Sequence, residues 1–169
     1  MSEWREMVNF ADWLIIHALN HVGTSFMDEL RIAVVLLDQA TELLMKAYLI
    51  KNGYSIQDFD RKKFEAGVKE SDKIKKILNE EKTIDFTTAL SIIKKILPQI
   101  DENGISNFHK LRNKIYHRAT RIHEDKEMEI QNFMPKLETF YKLAFNRPFN
   151  HADRVLELWN ERDKIRNKS

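Results

Sequence analysis

Between Phe26 and Asn52 the chain carries an unbroken helical pattern whose apolar positions cover most of the circumference. Leu30, Val34, Leu37, Leu44 and Tyr48 make one stripe, with Ala33, Leu36, Ala40, Leu43 and Ala47 beside it. A helix that is apolar nearly all round has to be covered on several sides by other elements. No stretch alternates convincingly with the two-residue period of a strand, so those elements have to be helices. Four Gly and three Pro in 169 residues leave little punctuation, which also favours long helices over a many-turned β fold. The expectation is an all-α bundle of about five or six helices.

The other helices follow from spacing and stop signals. Residues 3–22 place Trp4, Val8, Ala11, Ile15, Ala18 and Leu19 at helical intervals. Ser25 with Asp28 resembles a capping box for the central helix, and Gly53 suits the position just past its end. Asp85 is placed to cap a helix carrying Phe86, Leu90, Ile93 and Leu97, stopped by Pro98. The next helix begins near Asp101 to Gly104, presents Ile105, Phe108, Leu111 and Ile115 on one face, and frays near Ala119 and Thr120. A long helix runs from about Glu124 to Asn146, with Pro135 as a possible kink, and a last one from about His151 to Ile165. The charge-rich stretch 54–84 suggests short helices near 60–67 and 71–81. The whole reads as one domain over 1–169, its core about 26–146, with 3–22 and 151–165 as additions.

Composition removes several function classes. There is no cysteine, so disulfides, zinc ribbons and thiol catalysis are excluded, and a reducing cytoplasm is the expected location. Met1 to Glu6 is no signal peptide, and the apolar run Ile32–Leu37 breaks at Asp38, too short to span a bilayer. No Gly-rich phosphate loop and no G-x-S-x-G are present. No Glu is followed by His three residues later, which removes the di-iron pattern of helical bundles. His17 and His21 lie four apart, a spacing suited to a shared metal, but no third ligand is identifiable in sequence and no metal or cofactor is expected.

Charge is more informative in its distribution than in its net value of +2. Residues 107–123 hold Lys110, Arg112, Lys114, Arg118 and Arg121 without an acid, leaving 23 bases against 26 acids elsewhere. Such a patch attracts phosphate, although a solvated basic turn has the same composition. Within it, Arg112 and Asn113 precede His117. Arginine is a fixed cation with a planar fork that fits phosphate, and histidine transfers protons near neutral pH. The spacing alone is weak, because random placement gives about one such pair and Arg118 with His123 is another. Three features favour Arg112 and His117: the apolar face of Phe108, Leu111 and Ile115, the polar neighbour Asn113, and Glu42 as a candidate orienting partner for Arg112. Asp38, Glu42 and Lys46 share one stripe of the central helix, either an exposed salt-bridge row or a cleft-facing set. Tyr116 is suited to stacking on a base or, the preferred reading, to packing at a helix or dimer contact. His109, eight residues before His117, is a further lining candidate.

The run Arg112-Asn113-Lys114-Ile115-Tyr116-His117 resembles the R-N-x-x-x-H motif of HEPN domains, and Leu36 to Ala47 is similar to that family's early helix. The resemblance covers about residues 26–146. It implies a helical bundle and, where active, a metal-independent endoribonuclease of toxin or phage-defence systems. In that chemistry the RNA 2′-OH attacks the adjacent phosphate, leaving a 2′,3′-cyclic phosphate and a 5′-OH. His117 would be the general acid or base, Arg112 would stabilise the pentavalent phosphate, and Asn113 would position either one. Lys110, Lys114, Tyr116, Arg118 and Arg121 would bind RNA. Residues five apart on a helix differ by about 140° in direction, so one straight helix does not aim both at one phosphate. The family implies a two-fold dimer with both motifs at its interface, and an antitoxin or nucleotidyltransferase-like partner. The alternatives are a catalytically silent HEPN-like module that binds a protein or RNA, and an unrelated helical adaptor.

Overall fold

A computed structural model of the chain describes residues 2–22, 27–56, 84–117 and 126–149. Among them are five helices and no strand: α1 (Glu3–Val22), α2 (Met27–Lys51), α3 (Phe86–Ile96), α4 (Glu102–His117) and α5 (Lys126–Phe145). The protein is an all-α bundle, as the periodicity requires. The expected short helices at 60–67 and 71–81, the last helix at 151–165 and the side chains of the Ser25–Asp28 capping box lie outside what the structure describes.

Helix α2 packs against each of the other four, which is why its apolar surface is so wide. It runs antiparallel to α1. His21 near the end of α1 meets Glu29 near the start of α2, while Lys51 at the end of α2 lies over the ring of Trp4 at the start of α1. Leu30, Ala33, Val34, Leu37, Ala40, Leu44, Met45 and Leu49 are all buried. Each large side chain removed from water in this way contributes about 1.5–3 kcal/mol before entropy is counted.

Local signals set the ends. Gly53 takes φ +80° and closes α2 with a Schellman turn: its N–H donates to Ile50 O at 3.0 Å and that of Tyr54 to Leu49 O at 2.9 Å. Asp85 accepts from the Thr88 N–H at 2.9 Å and from its hydroxyl at 2.6 Å. Burial raises the Asp85 carboxyl pKa, but these hydrogen bonds outweigh it and hold the group below its ordinary value. Asp101 caps α4 by accepting from Gly104 N–H at 2.9 Å, and that bond, with Lys136 beside it, lowers its pKa too. Pro98 follows the C-cap Leu97 of α3, whereas Pro135 sits inside α5 without ending it. The hydroxyl of Tyr141 on α5 donates to Asp12 of α1 at 3.1 Å; burial, reinforced by that carboxylate, pushes its pKa up to about 12. Phe108 stacks on Phe133 at 3.7 Å and joins α4 to α5.

Candidate functional site

The site is built where α3 and α4 meet the middle of α2. Asp38 interrupts the most apolar run of α2, and its side chain is 1% exposed. A carboxylate taken out of water needs partners to offset its desolvation, and α4 supplies two. His109 brings Nδ1 to 3.1 Å from both oxygens of Asp38. Arg112, one turn further along α4, brings Nε to 3.3 Å from Oδ2. That Nε is buried and near enough for ion pairing, but its N–H is not aimed well enough for a hydrogen bond. From α3, Phe86 stacks on the His109 ring at 3.7 Å with the planes 10° apart. The capping of α3 by Asp85 therefore bears on the site, because it fixes the turn that carries Phe86.

Two groups are set up by this arrangement. The Asp38 carboxylate only accepts, so it selects the His109 tautomer with hydrogen on Nδ1 and leaves Nε2 as the accepting nitrogen of the neutral ring. Among the described residues Nε2 meets no hydrogen-bond partner. The guanidinium of Arg112 is tied on one edge to Asp38, donates from Nη1 to Asn113 Oδ1 at 2.9 Å, and lies 5.5 Å from the centroid of the Tyr116 ring. Its Nη2 meets no acceptor among the described residues, and the side chain is 28% exposed. The arginine is held in place yet keeps one donor edge open, as an anion-binding arginine must.

The structure corrects one partner named from sequence. The carboxylate that reaches Arg112 belongs to Asp38, one turn before Glu42. Glu42 instead accepts from Lys46 at 2.8 Å along its own helix. The physical reason is proximity: at i,i+4 the Glu42–Lys46 pair forms without help from another helix. The polar stripe is thus split between a buried acid and a half-buried ion pair. Tyr116 is 71% exposed, so its ring is not packed into its own bundle. Lys110 and Lys114 are exposed on α4, while Arg118 and Arg121 lie outside the described residues. His117 is the last helical residue of α4, and its side chain is likewise outside them. Helical backbone through position 117 keeps it five residues, about 140°, around from Arg112. His109 and Asp38 are the pair that sequence reasoning underweighted. The available signal was the acid itself, directly after the run Ile32 to Leu37 in which every residue is apolar, on a helix that is apolar nearly all round.

The family described as a domain of unknown function, DUF3644, matches residues 16–157, which take in Asp38, His109 and the whole Arg112–His117 motif. The chain belongs to that family. Neither a curated protein nor a solved structure matches it. Among the described residues no three His, Asp or Glu side chains gather as metal ligands, and no helix is long and apolar enough to cross a membrane.

Proposed function

We propose that this member of DUF3644 is a HEPN-type endoribonuclease that cleaves RNA without a metal. The observation that carries the reading is the half-anchored Arg112, tied through Nε to buried Asp38 with Nη2 left open on the motif helix. A guanidinium fixed in this way matches the charge that develops on a pentavalent phosphate without reorganising during the reaction. The exposed ring of Tyr116 lies beside it, suited to a base, while the exposed Lys110 and Lys114, two residues to either side and so round the helix from it, would add positive charge for an RNA backbone.

In the proposed reaction a base removes the 2′-OH proton, the O2′–P bond forms, the P–O5′ bond breaks and an acid protonates O5′. His117 is one of those two groups. Because α4 stays helical to His117, the two motif residues that share a phosphate are best drawn from two protomers of a homodimer. The HEPN resemblance supports a cytoplasmic role in a toxin or phage-defence system. The same resemblance points to an antitoxin or nucleotidyltransferase-like protein as its controlling partner.

The test is cleavage of labelled single-stranded RNA and tRNA in EDTA. Wild type yields 2′,3′-cyclic phosphate ends, and His117→Ala lowers the rate by on the order of 10²–10⁴. A folded wild-type dimer that leaves RNA intact removes the reading. One observation favours a second reading, a silent HEPN-like module that binds a protein or RNA: Arg112 already spends one edge on Asp38, as a purely structural arginine would.

A further inference from the structure

The geometry points to a divalent transition-metal site at the corner between α1 and α2, made by His17 and His21 with Glu29 behind them. The outer face of α1 carries a row of rings. Phe10 stacks on Trp13 at 5.7 Å, Trp13 on His17 at 5.3 Å, and His17 meets His21 edge to face at 4.8 Å. The two imidazoles converge through their Nε2 atoms, which stand 3.4 Å apart. Two nitrogens bound to one tetrahedral zinc at about 2.0–2.1 Å are separated by about 3.4 Å. The helix therefore already holds two ligand atoms at the spacing one ion requires.

A second observation is independent of that distance. The other nitrogen of His21, Nδ1, is bonded to the Glu29 carboxylate from α2. A carboxylate behind a ligating histidine is the usual outer partner in zinc sites, where it orients the ring and strengthens it as a ligand. Here it keeps hydrogen on Nδ1 of the neutral ring, so the lone pair is on the Nε2 that faces His17. In the metal-free contact His17 is then the ring that donates from Nε2. An incoming ion takes both Nε2 lone pairs once His17 adopts its other tautomer, with its proton on Nδ1, and no net proton is lost.

Among the described residues no third His, Asp or Glu side chain completes the set. Water would fill the positions these side chains leave, which would make the ion exchangeable. Imidazole ligands suit zinc, nickel and copper(II), and disfavour magnesium and calcium. Because Glu29 stands on α2, an ion on α1 also tightens the α1–α2 pair. Glu29 lies nine residues before Asp38, about 13 Å along α2, so this site is separate from the proposed cleavage site.

Titration of tag-free full-length protein with zinc and with nickel, by calorimetry and thermal unfolding, tests the inference. One ion per chain is expected, with a Tm rise of a few degrees and no response to magnesium. His17→Ala, at an exposed position, abolishes the response, and Glu29→Gln weakens the affinity by about 10–100-fold. Zinc affinity unchanged in His17→Ala overturns the site, and unchanged affinity in Glu29→Gln overturns the role of the carboxylate. RNA cleavage in EDTA is read separately, so either result stands whether or not the ribonuclease reading holds.

Discussion

Helix α2 places a carboxylate beside a histidine twice, and the two pairs sit in opposite surroundings. Asp38 is 1% exposed and holds His109 and Arg112 together, with Phe86 covering the ring. Glu29 is 32% exposed and holds His21, itself 21% exposed, near the α1–α2 corner. The chemistry is the same, but the consequence of losing it is not. A buried carboxylate that two groups depend on cannot be replaced by water, so the first pair acts as a scaffold. At the second, water and ions compete for the same atoms, so that pair is exchangeable and weak in stability terms. Burial thus assigns one pair to fixing a site and the other to answering its surroundings.

The largest test of that contrast is Asp38→Ala. It strands His109 Nδ1 and the buried Nε of Arg112, and urea unfolding is expected to show a loss of about 3 kcal/mol. That is the low end for a broken buried pair, because Arg112 is partly solvated. A loss no larger than that from Glu29→Ala would erase the distinction. Next in size is the acid response of the Asp38 side. Asp85→Ala removes the α3 cap and costs about 1 kcal/mol. The depressed pKa values of Asp85 and Asp101 mean that their contribution is full above the ordinary aspartate value. It is lost as pH falls through the lowered ones. Hydrogen exchange at descending pH should therefore open α3 and the start of α4 in wild type, whereas in Asp85→Ala α3 is already less protected at neutral pH and lacks the Asp85-dependent part of the acid response. Protection lost first in α1 would run against this. The smallest effect belongs to Glu29→Ala, within about 1 kcal/mol in stability and without effect on RNA cleavage.

How much of this was legible in sequence depends on the range of the interaction. The central position of α2 followed from its wide apolar surface, and its end from Gly53. The start of α3 followed from Asp85 and its stop from Pro98, since caps and breakers act within a few residues. The observed ends of α2, Met27 and Lys51, fall within one residue of the pattern. The partner of Arg112 was not legible. Asp38 and Glu42 lie on one stripe, and choosing between them needs the axial offset of α4 against α2. That offset is set by packing between residues 71 positions apart, as His109 and Asp38 are. The exposure of Tyr116 was open for the same reason, because base stacking, a dimer contact and a helix contact all fit the sequence until the neighbouring helices are placed. The convergence of His17 and His21 needed rotamers as well as spacing. The four-residue interval put them on one face, but only the 3.4 Å approach and Glu29 behind it distinguish a chelate from two surface histidines.

The central claim is that Asp38 holds Arg112 so that its open edge can serve the RNA phosphate. Arg112→Lys separates this from a structural role, since lysine keeps the charge for Asp38 but loses the planar fork. The measurement is the single-turnover cleavage rate of folded Arg112→Lys beside wild type. The account predicts a near-unchanged Tm with a rate lower by about 10²–10³. A folded variant that cleaves RNA at close to the wild-type rate would contradict it and leave Arg112 as a strut of the bundle.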